Sequence, residues 1–480
     1  MSINYFVEFK PIINRLRKIG LFEVLDELYR LMKLRKPSFV PEIYEFTYVN
    51  ALIYCPIDSD REVNFQKEFN EVLTHAWELH NKINADYIKE RDDPFGFIRK
   101  SYLNQDKSRV GHYINQFIRY YHIFSDSALS NHIETKIRIS YYDFMLCSFW
   151  LTAHFIDNYH ISKSYFFSEN LSNTPFNKTN MSKVLGMLSD DYASIKGKLR
   201  SEMVYDEDAF LFFGKGHIRT PIIQYNSHLI CLYPDVLLKQ ATAGIYYIAE
   251  IYDKKYNLNN QFGKGFEKYI GIILNKLNKD GKYGITSEIE YNKGGNKTSD
   301  WIIIEESSLV FIECKTKRQI LKTKLYSSGT HEDRGIQDYA ANEISKIYKV
   351  YNDYRNNEIP DLKYDSSMFF IPLIVFLEDG FYLEVNKEIA AKIKEILLSK
   401  GISPELVDEY PFHIFSVSDF EYKLQIMFKM GFSTYFTKLT TGKISQDFIE
   451  RFDYIDYFSD DFVDLFITPN DIRSSTKISL

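Results

Sequence analysis

Apolar residues recur at intervals of three and four through most of the first 160 positions. Residues 12–34, IINRLRKIGLFEVLDELYRLMKL, show the pattern clearly and predict one amphipathic helix. Residues 63–90 and 112–133 repeat it. The stretch from Ile161 to Met181 is rich in Ser, Asn and Thr, which predicts a loop or a boundary. Near residue 210 the rhythm changes to short apolar runs broken by Gly, Pro and Asn-Ser. PIIQYNSHLICLY predicts a hairpin turning at Asn226-Ser227, followed by a helix over LLKQATAGIYYIAEIYD.

From about residue 255 the chain alternates between the two periods. A helix is expected from Lys264 to Leu277, then short strands in GITSEIEYN, SDWIIIEE and SLVFIECKT. A long helix over RGIQDYAANEISKIYKVYNDYR and one or two strands in SSMFFIPLIVFLEDGFYLEV follow. Helix, three strands, helix, strand predicts an α/β sandwich with a mixed sheet flanked by helices. Beyond Val385 come a helix, a strand and another helix. The expected division is a mainly helical N-terminal domain over 1–195, a linking hairpin and helix over 196–253, a core unit over 254–390 and an α/β extension over 391–480 packed on that core.

Length and composition narrow the class. A chain of 480 residues is too long for one compact core, and 45% hydrophobic with 26% charged residues is ordinary for a globular protein. No apolar run reaches membrane-spanning length, so no membrane partner is expected. The N-terminus has no uninterrupted apolar core and is not expected to act as a signal peptide. Cys55, Cys147, Cys231 and Cys314 are scattered without a CxxC pair, which argues against a zinc knuckle or disulfide framework and for a reducing cytoplasm. There is no ATP-binding loop of the Gly-x-x-x-x-Gly-Lys-Ser/Thr type and no Gly-x-Ser-x-Gly elbow. His217, His331 and Arg334 read as turn or loop residues rather than catalytic ones.

One segment breaks the apolar rule. In SDWIIIEESSLVFIECKTKR, Asp300, Glu313 and Lys315 flank two runs that otherwise read as buried strands, where charges are costly unless paired, solvated or metal-bound. Along the second strand Leu309, Phe311, Glu313 and Lys315 share one face. A hairpin turning at Glu306-Ser307 pairs residues whose numbers sum to a constant, which sets Asp300 opposite Glu313. Opposed residues lie roughly 5 Å apart at Cβ. Two carboxylates at that spacing repel unless a proton or metal lies between them, and a hard divalent cation takes such oxygen ligands. Lys315 beside them is suited to orient water or neutralise charge developing on a phosphate. The bland alternative is an exposed ion pair at a strand end; the apolar flanks speak against it.

Ser299-Asp300, then Glu313-Cys314-Lys315 after a short hairpin, resembles the PD-(D/E)XK nucleases, the superfamily of restriction endonucleases, resolvases and repair nucleases. The likeness covers about residues 255 to 385, with Ser299 in place of the family's leading Pro. It implies a restriction-endonuclease-like fold and a metal-dependent nuclease acting on DNA, with RNA a live alternative, in restriction or anti-phage defence. It implies Mg²⁺, replaceable by Mn²⁺, held by Asp300, Glu313 and the backbone carbonyl of Cys314. By the same likeness Glu267 of the preceding helix and Gln337 of the following helix are expected to assist. A basic run, Lys317, Arg318, Lys322 and Lys324, is expected to contact nucleic acid. Residues 254–355 hold 18 Lys and Arg against 13 Asp and Glu, a net of +5, leaving -11 for the rest of a chain of formal charge -6. A basic unit within an acidic protein suits a polyanion substrate. The N-terminal helices are expected to serve oligomer or partner contacts. The competing reading is an inactive nuclease fold serving as a nucleic-acid or protein platform.

Overall fold

The computed structural model describes residues 4–34, 41–58, 62–91, 113–125, 127–167, 172, 174–205, 210, 220–246, 258–292, 295–316, 331–377 and 386–441, and every structural statement below concerns these. The protein is mixed α/β. No described helix is long and apolar enough to cross a membrane.

Four helices, Phe6–Leu16, Leu21–Leu34, Pro41–Tyr54 and Phe65–Arg91, open the chain. The single helix expected over 12–34 is two. The break falls at Gly20, whose N–H is taken by the Glu23 carboxylate at 3.0 Å, while the Leu21 N–H donates to Pro56 O at 2.8 Å. A local side-chain acceptor and a distant carbonyl thus replace two helical hydrogen bonds. The pattern expected over 112–133 likewise divides, into Tyr113–Phe124 and Ser127–Ile137, followed by Tyr141–Asp157.

Strands β1 (His160–Ser162), β2 (Ser189–Asp191), β3 (Ile222–Tyr225) and β4 (His228–Ile230) form a small sheet in the order β1-β4-β3-β2. The β3–β4 hairpin turns at Asn226-Ser227 as expected, with Asn226 at φ 52°, a left-handed conformation that Asn tolerates. Alternation divides its side chains between two cores. Ile223 and Ile230 join the N-terminal helices, whereas Ile222 and Leu229 point into the core of the larger sheet.

That larger sheet contains β5 (Gly284–Ser287), β8 (Trp301–Glu305), β9 (Ser308–Lys315), β10 (Phe369–Phe376) and β11 (His413–Ser416) in the order β11-β10-β9-β8-β5. A short hairpin, β6 (Glu290–Tyr291) and β7 (Asn296–Lys297), lies between β5 and β8 in the chain. β9, β10 and β11 run parallel; β8 and β5 are antiparallel to their neighbours. The central strands are buried on both faces, as their continuous apolar runs require. On one face Leu309, Phe311, Phe370 and Ile374 pack against the helices His331–Arg355 and Asn386–Ser399. On the other, Ile303, Val310, Ile312, Leu373 and Val375 share a core with Leu258–Leu277, Val417–Met430, Phe432–Thr440 and the helices between residues 113 and 188.

A buried ion pair ties this second layer together. Arg119 donates from Nε and Nη2 to Glu421 at 2.7 and 2.6 Å, and Tyr269 Oη donates to the same carboxylate at 2.6 Å. The paired side chains are 6% and 3% exposed. Three segments distant in sequence therefore meet at one fully engaged carboxylate, the geometry in which a desolvated charge is tolerated.

Candidate active site

The β8–β9 hairpin sets the site. Glu305 pairs with Ser308 and Trp301 with Ile312, so partner numbers sum to the constant that the Glu306-Ser307 turn dictates. The turn is anchored from outside. Glu305 accepts from Ser308 Oγ at 2.7 Å and from Ser433 N–H, in the first turn of Phe432–Thr440, at 3.1 Å. A carboxylate at a helix N-terminus is favourable, and here it also fixes the hairpin's tip.

The ladder ends at Trp301, and Asp300 occupies the bend before it. Its carboxylate reaches across to β9, where Oδ2 accepts the Cys314 N–H at 2.6 Å. Its own carbonyl accepts from Glu288 N–H at 3.0 Å, so both ends of the residue are held. Lys315 O accepts from Leu377 N–H beyond β10. Strand alternation therefore turns the N–H and C=O of Cys314 the other way, toward β8 and Asp300. The carbonyl expected to serve as a metal ligand lies on the Asp300 side. The Cys314 thiol is buried in the opposite face, and burial pushes its pKa well up, leaving it inert.

Glu313 and Lys315 share the other face. Lys315 Nζ lies 2.6 Å from Glu313 Oε1 and 3.1 Å from Glu343 Oε2. Glu343, on the His331–Arg355 helix, was not singled out from the sequence. Its second oxygen meets Lys346 Nζ at 2.7 Å. A signal was present: Glu343 stands on the helix's buried stripe with Ala340, Ile344 and Ile347.

Glu267 reaches the cluster from Leu258–Leu277, on the other side of the sheet. Trp301 Nε1 donates to the Glu267 carbonyl at 2.9 Å. The indole passes so close to that helix that a Cβ on Gly271 would lie 2.1 Å from Trp301 Cζ2. Only glycine allows this approach. The residue after Asp300 therefore sets the height of the helix that carries Glu267. All these groups gather at the carboxyl end of β9, the end at which α/β sheets place their ligands.

The electrostatics are unbalanced. Burial, then the Glu267 carboxylate, raise Asp300 to about 7, against the pull of Lys315 and the Cys314 N–H. Burial, then Asp300, raise Glu313 to about 7 despite its contact with Lys315. Burial also raises Glu267. Burial alone would lower Lys315, but Glu313 and Asp300 outweigh it and hold the ammonium above its ordinary range. Glu343 is pushed up by burial and brought below the usual range by Lys346 and Lys315. One buried ammonium thus faces more carboxylate than it neutralises. Asp300 and Glu313 titrate as a pair close to neutrality.

Gln337 is buried on the same helix as Glu343, and its Oε1 accepts no hydrogen bond among the described residues. Six positions separate it from Glu343, so the two side chains leave the helix about 120° apart. His331 and Arg334, expected in a loop, belong to the first turn of that helix. The basic run of Lys317, Arg318, Lys322 and Lys324 lies outside the described residues, as does His217.

The donor set suits a hard cation. Asp300, Glu313 and a backbone carbonyl offer only oxygen, which Mg²⁺ and Mn²⁺ prefer. Among the described residues no group of three His, Cys, Asp or Glu side chains is arranged to hold a metal unaided. Mg²⁺ does not need one, since it commonly takes one or two carboxylates and completes its shell with water and substrate phosphate. Comparison with family models, curated proteins and solved structures gives no match for this chain.

Proposed function

We propose that the chain is a divalent-metal-dependent nuclease that hydrolyses phosphodiester bonds, DNA foremost and RNA as an alternative, on a restriction-endonuclease-like core. The observation that carries this reading is the reach of Asp300 across the hairpin to Cys314, which sets one buried carboxylate beside Glu313 and Lys315 in a cluster with surplus negative charge. Asp300, Glu313 and the Cys314 carbonyl would hold the metal; Mg²⁺ there supplies Lewis-acid polarisation of a phosphoryl oxygen and a more acidic water. Lys315 keeps its proton and presents a cation where charge develops on the phosphoryl oxygens. Glu267, whose pKa burial raises above the ordinary value, is assigned by the resemblance an assisting role at the edge of the cluster. Gln337 is assigned a substrate contact on the resemblance, and the basic run on its charge and its place directly after Lys315 in the chain. A role in restriction or anti-phage defence in the cytoplasm accords with this chemistry. The test is cleavage of plasmid DNA and single-stranded RNA with Mg²⁺ by the full chain, by Asp300→Ala and by Lys315→Ala. Cleavage by the intact chain that both substitutions abolish is expected; equal cleavage by all three proteins rejects the mechanism.

One observation favours a second reading. Lys315 is already engaged by two carboxylates, as it would be in an inactive nuclease fold that binds nucleic acid or protein. Calorimetry with Mn²⁺ separates the two. Binding that Glu313→Gln removes supports the nuclease; a wild-type chain that takes up no Mn²⁺ supports the platform.

A further inference from the structure

We propose that Glu343 is a positioning residue that makes Glu313 available to the cation by giving Lys315 a second carboxylate to hold. This rests on the reading that Asp300 and Glu313 bind a divalent metal. Glu313 Oε1 lies 2.6 Å from the Lys315 ammonium, so the lysine already engages one of the two oxygens of the carboxylate that would hold the metal. A buried ammonium left without a partner is costly, and Lys315 is only 19% exposed at its side chain. Without an alternative, a cation drawing on the charge of Glu313 would weaken the lysine's one other ion pair among the described residues. Glu343 Oε2, at 3.1 Å, is that alternative.

Glu343 is built for the task. Its side chain is 9% exposed and sits on the apolar stripe of its helix, where a carboxylate has no packing advantage. Its two oxygens are divided: one faces Lys315, the other Lys346 at the surface. Lys346 compensates the buried charge, so Glu343 stays ionised and Lys315 is shared rather than captured. Tyr339, one turn earlier, senses the same group of charges. Burial raises its hydroxyl, followed by Glu343 and opposed by Lys315. The lysine therefore has two seats. With Glu313 it closes the pair; with Glu343 it stands aside, still charged and still at the end of β9. Glu343 touches no metal ligand in this scheme and acts only through Lys315.

The prediction is a double-mutant cycle read by Mn²⁺ calorimetry on the full chain, with far-UV circular dichroism confirming that each variant is folded. Glu343→Gln, which removes the charge at nearly constant volume, is expected to weaken Mn²⁺ binding roughly three- to tenfold, the coupling of residues sharing one charge network. Lys315→Met frees Glu313 and is expected to tighten binding. In Glu343→Gln with Lys315→Met the affinity should return to that of Lys315→Met alone, because Glu343 has no other route to the cation. Glu343→Asp serves if the Gln variant folds poorly, and should fall between wild type and Gln. Unchanged affinity in both Glu343 variants, or a loss that persists in the Lys315→Met background, overturns the proposal. Failure of the wild-type chain to bind Mn²⁺ overturns instead the metal reading on which it stands.

Discussion

Two groups of buried charge lie on different sides of the Leu258–Leu277 helix. Tyr269 serves one and Glu267 the other; two positions apart, they point about 160° away from each other. Around Tyr269, one guanidinium meets one carboxylate in a two-pronged pair, and the tyrosine hydroxyl completes it. Around Glu267, several carboxylates surround a single buried ammonium among the described residues; Asp300 and Glu313 are raised to about 7, and Glu267 is raised as well. Burial is similar; balance is not. The first arrangement holds segments together and leaves little for chemistry. The second keeps a surplus that folding alone would discard, the condition in which perturbed acids gather at working sites.

The comparison can be broken most severely by activity. Lys315→Ala or Asp300→Ala should lower cleavage of DNA by at least about a hundredfold, whereas Glu421→Gln should act on cleavage only through stability; kinetics at a temperature where all variants remain folded check this. Next in size is Arg119→Ala, which strands Glu421 in the interior and should cost about 3–5 kcal/mol in chemical denaturation. A loss under 1 kcal/mol would mean the pair is not the structural member of the two. Gly271→Ala drives a methyl group into Trp301 and should cost about 1–3 kcal/mol, with a fall in cleavage because the Glu267 helix must shift.

The smallest effect carries a sign. A carboxyl raised in the folded state stabilises the fold relative to its ionised form below its unfolded pKa, and that contribution is lost as pH rises through the folded value. Asp300 and Glu313, both at about 7, should therefore make the metal-free chain lose stability between about pH 4 and 7. Asp300→Asn should remove part of this loss. It should be neutral near pH 4 and stabilising by about 1–2 kcal/mol at pH 8. In the same window Mn²⁺ affinity should climb with pH, since protons leave as the metal binds. Calorimetry at three pH values with and without the substitution reads both.

The hairpin beneath the candidate site was legible before the structure. The turn at Glu306-Ser307 and the strictly apolar flanks leave one register, and that register is observed, with Asp300 delivered to the end of β9. Helix ends were less legible. Gly20 interrupts a pattern that continues across it, because the partner of Leu21 N–H is Pro56. The partnerships of Glu343 and Glu421 were also hidden, since each depends on a helix brought in from another part of the chain. Yet both acids stand on the buried stripe of an amphipathic helix, Glu421 among Val417, Phe420 and Leu424. A lone acid on such a stripe marks a charge network; which kind it marks depends on counting the cations that come to meet it.

Trp301 offers a last consequence, and it is optical. The chain has three tryptophans, Trp77, Trp150 and Trp301. Only Trp301 adjoins Asp300 and hydrogen-bonds through its indole to the Glu267 carbonyl. With the other two replaced by phenylalanine, the emission of this one ring becomes a gauge of the gap between helix and strand. What the fold uses as a spacer is also a lamp fixed at the rim of the site, and its colour will report any movement of the acids on either side.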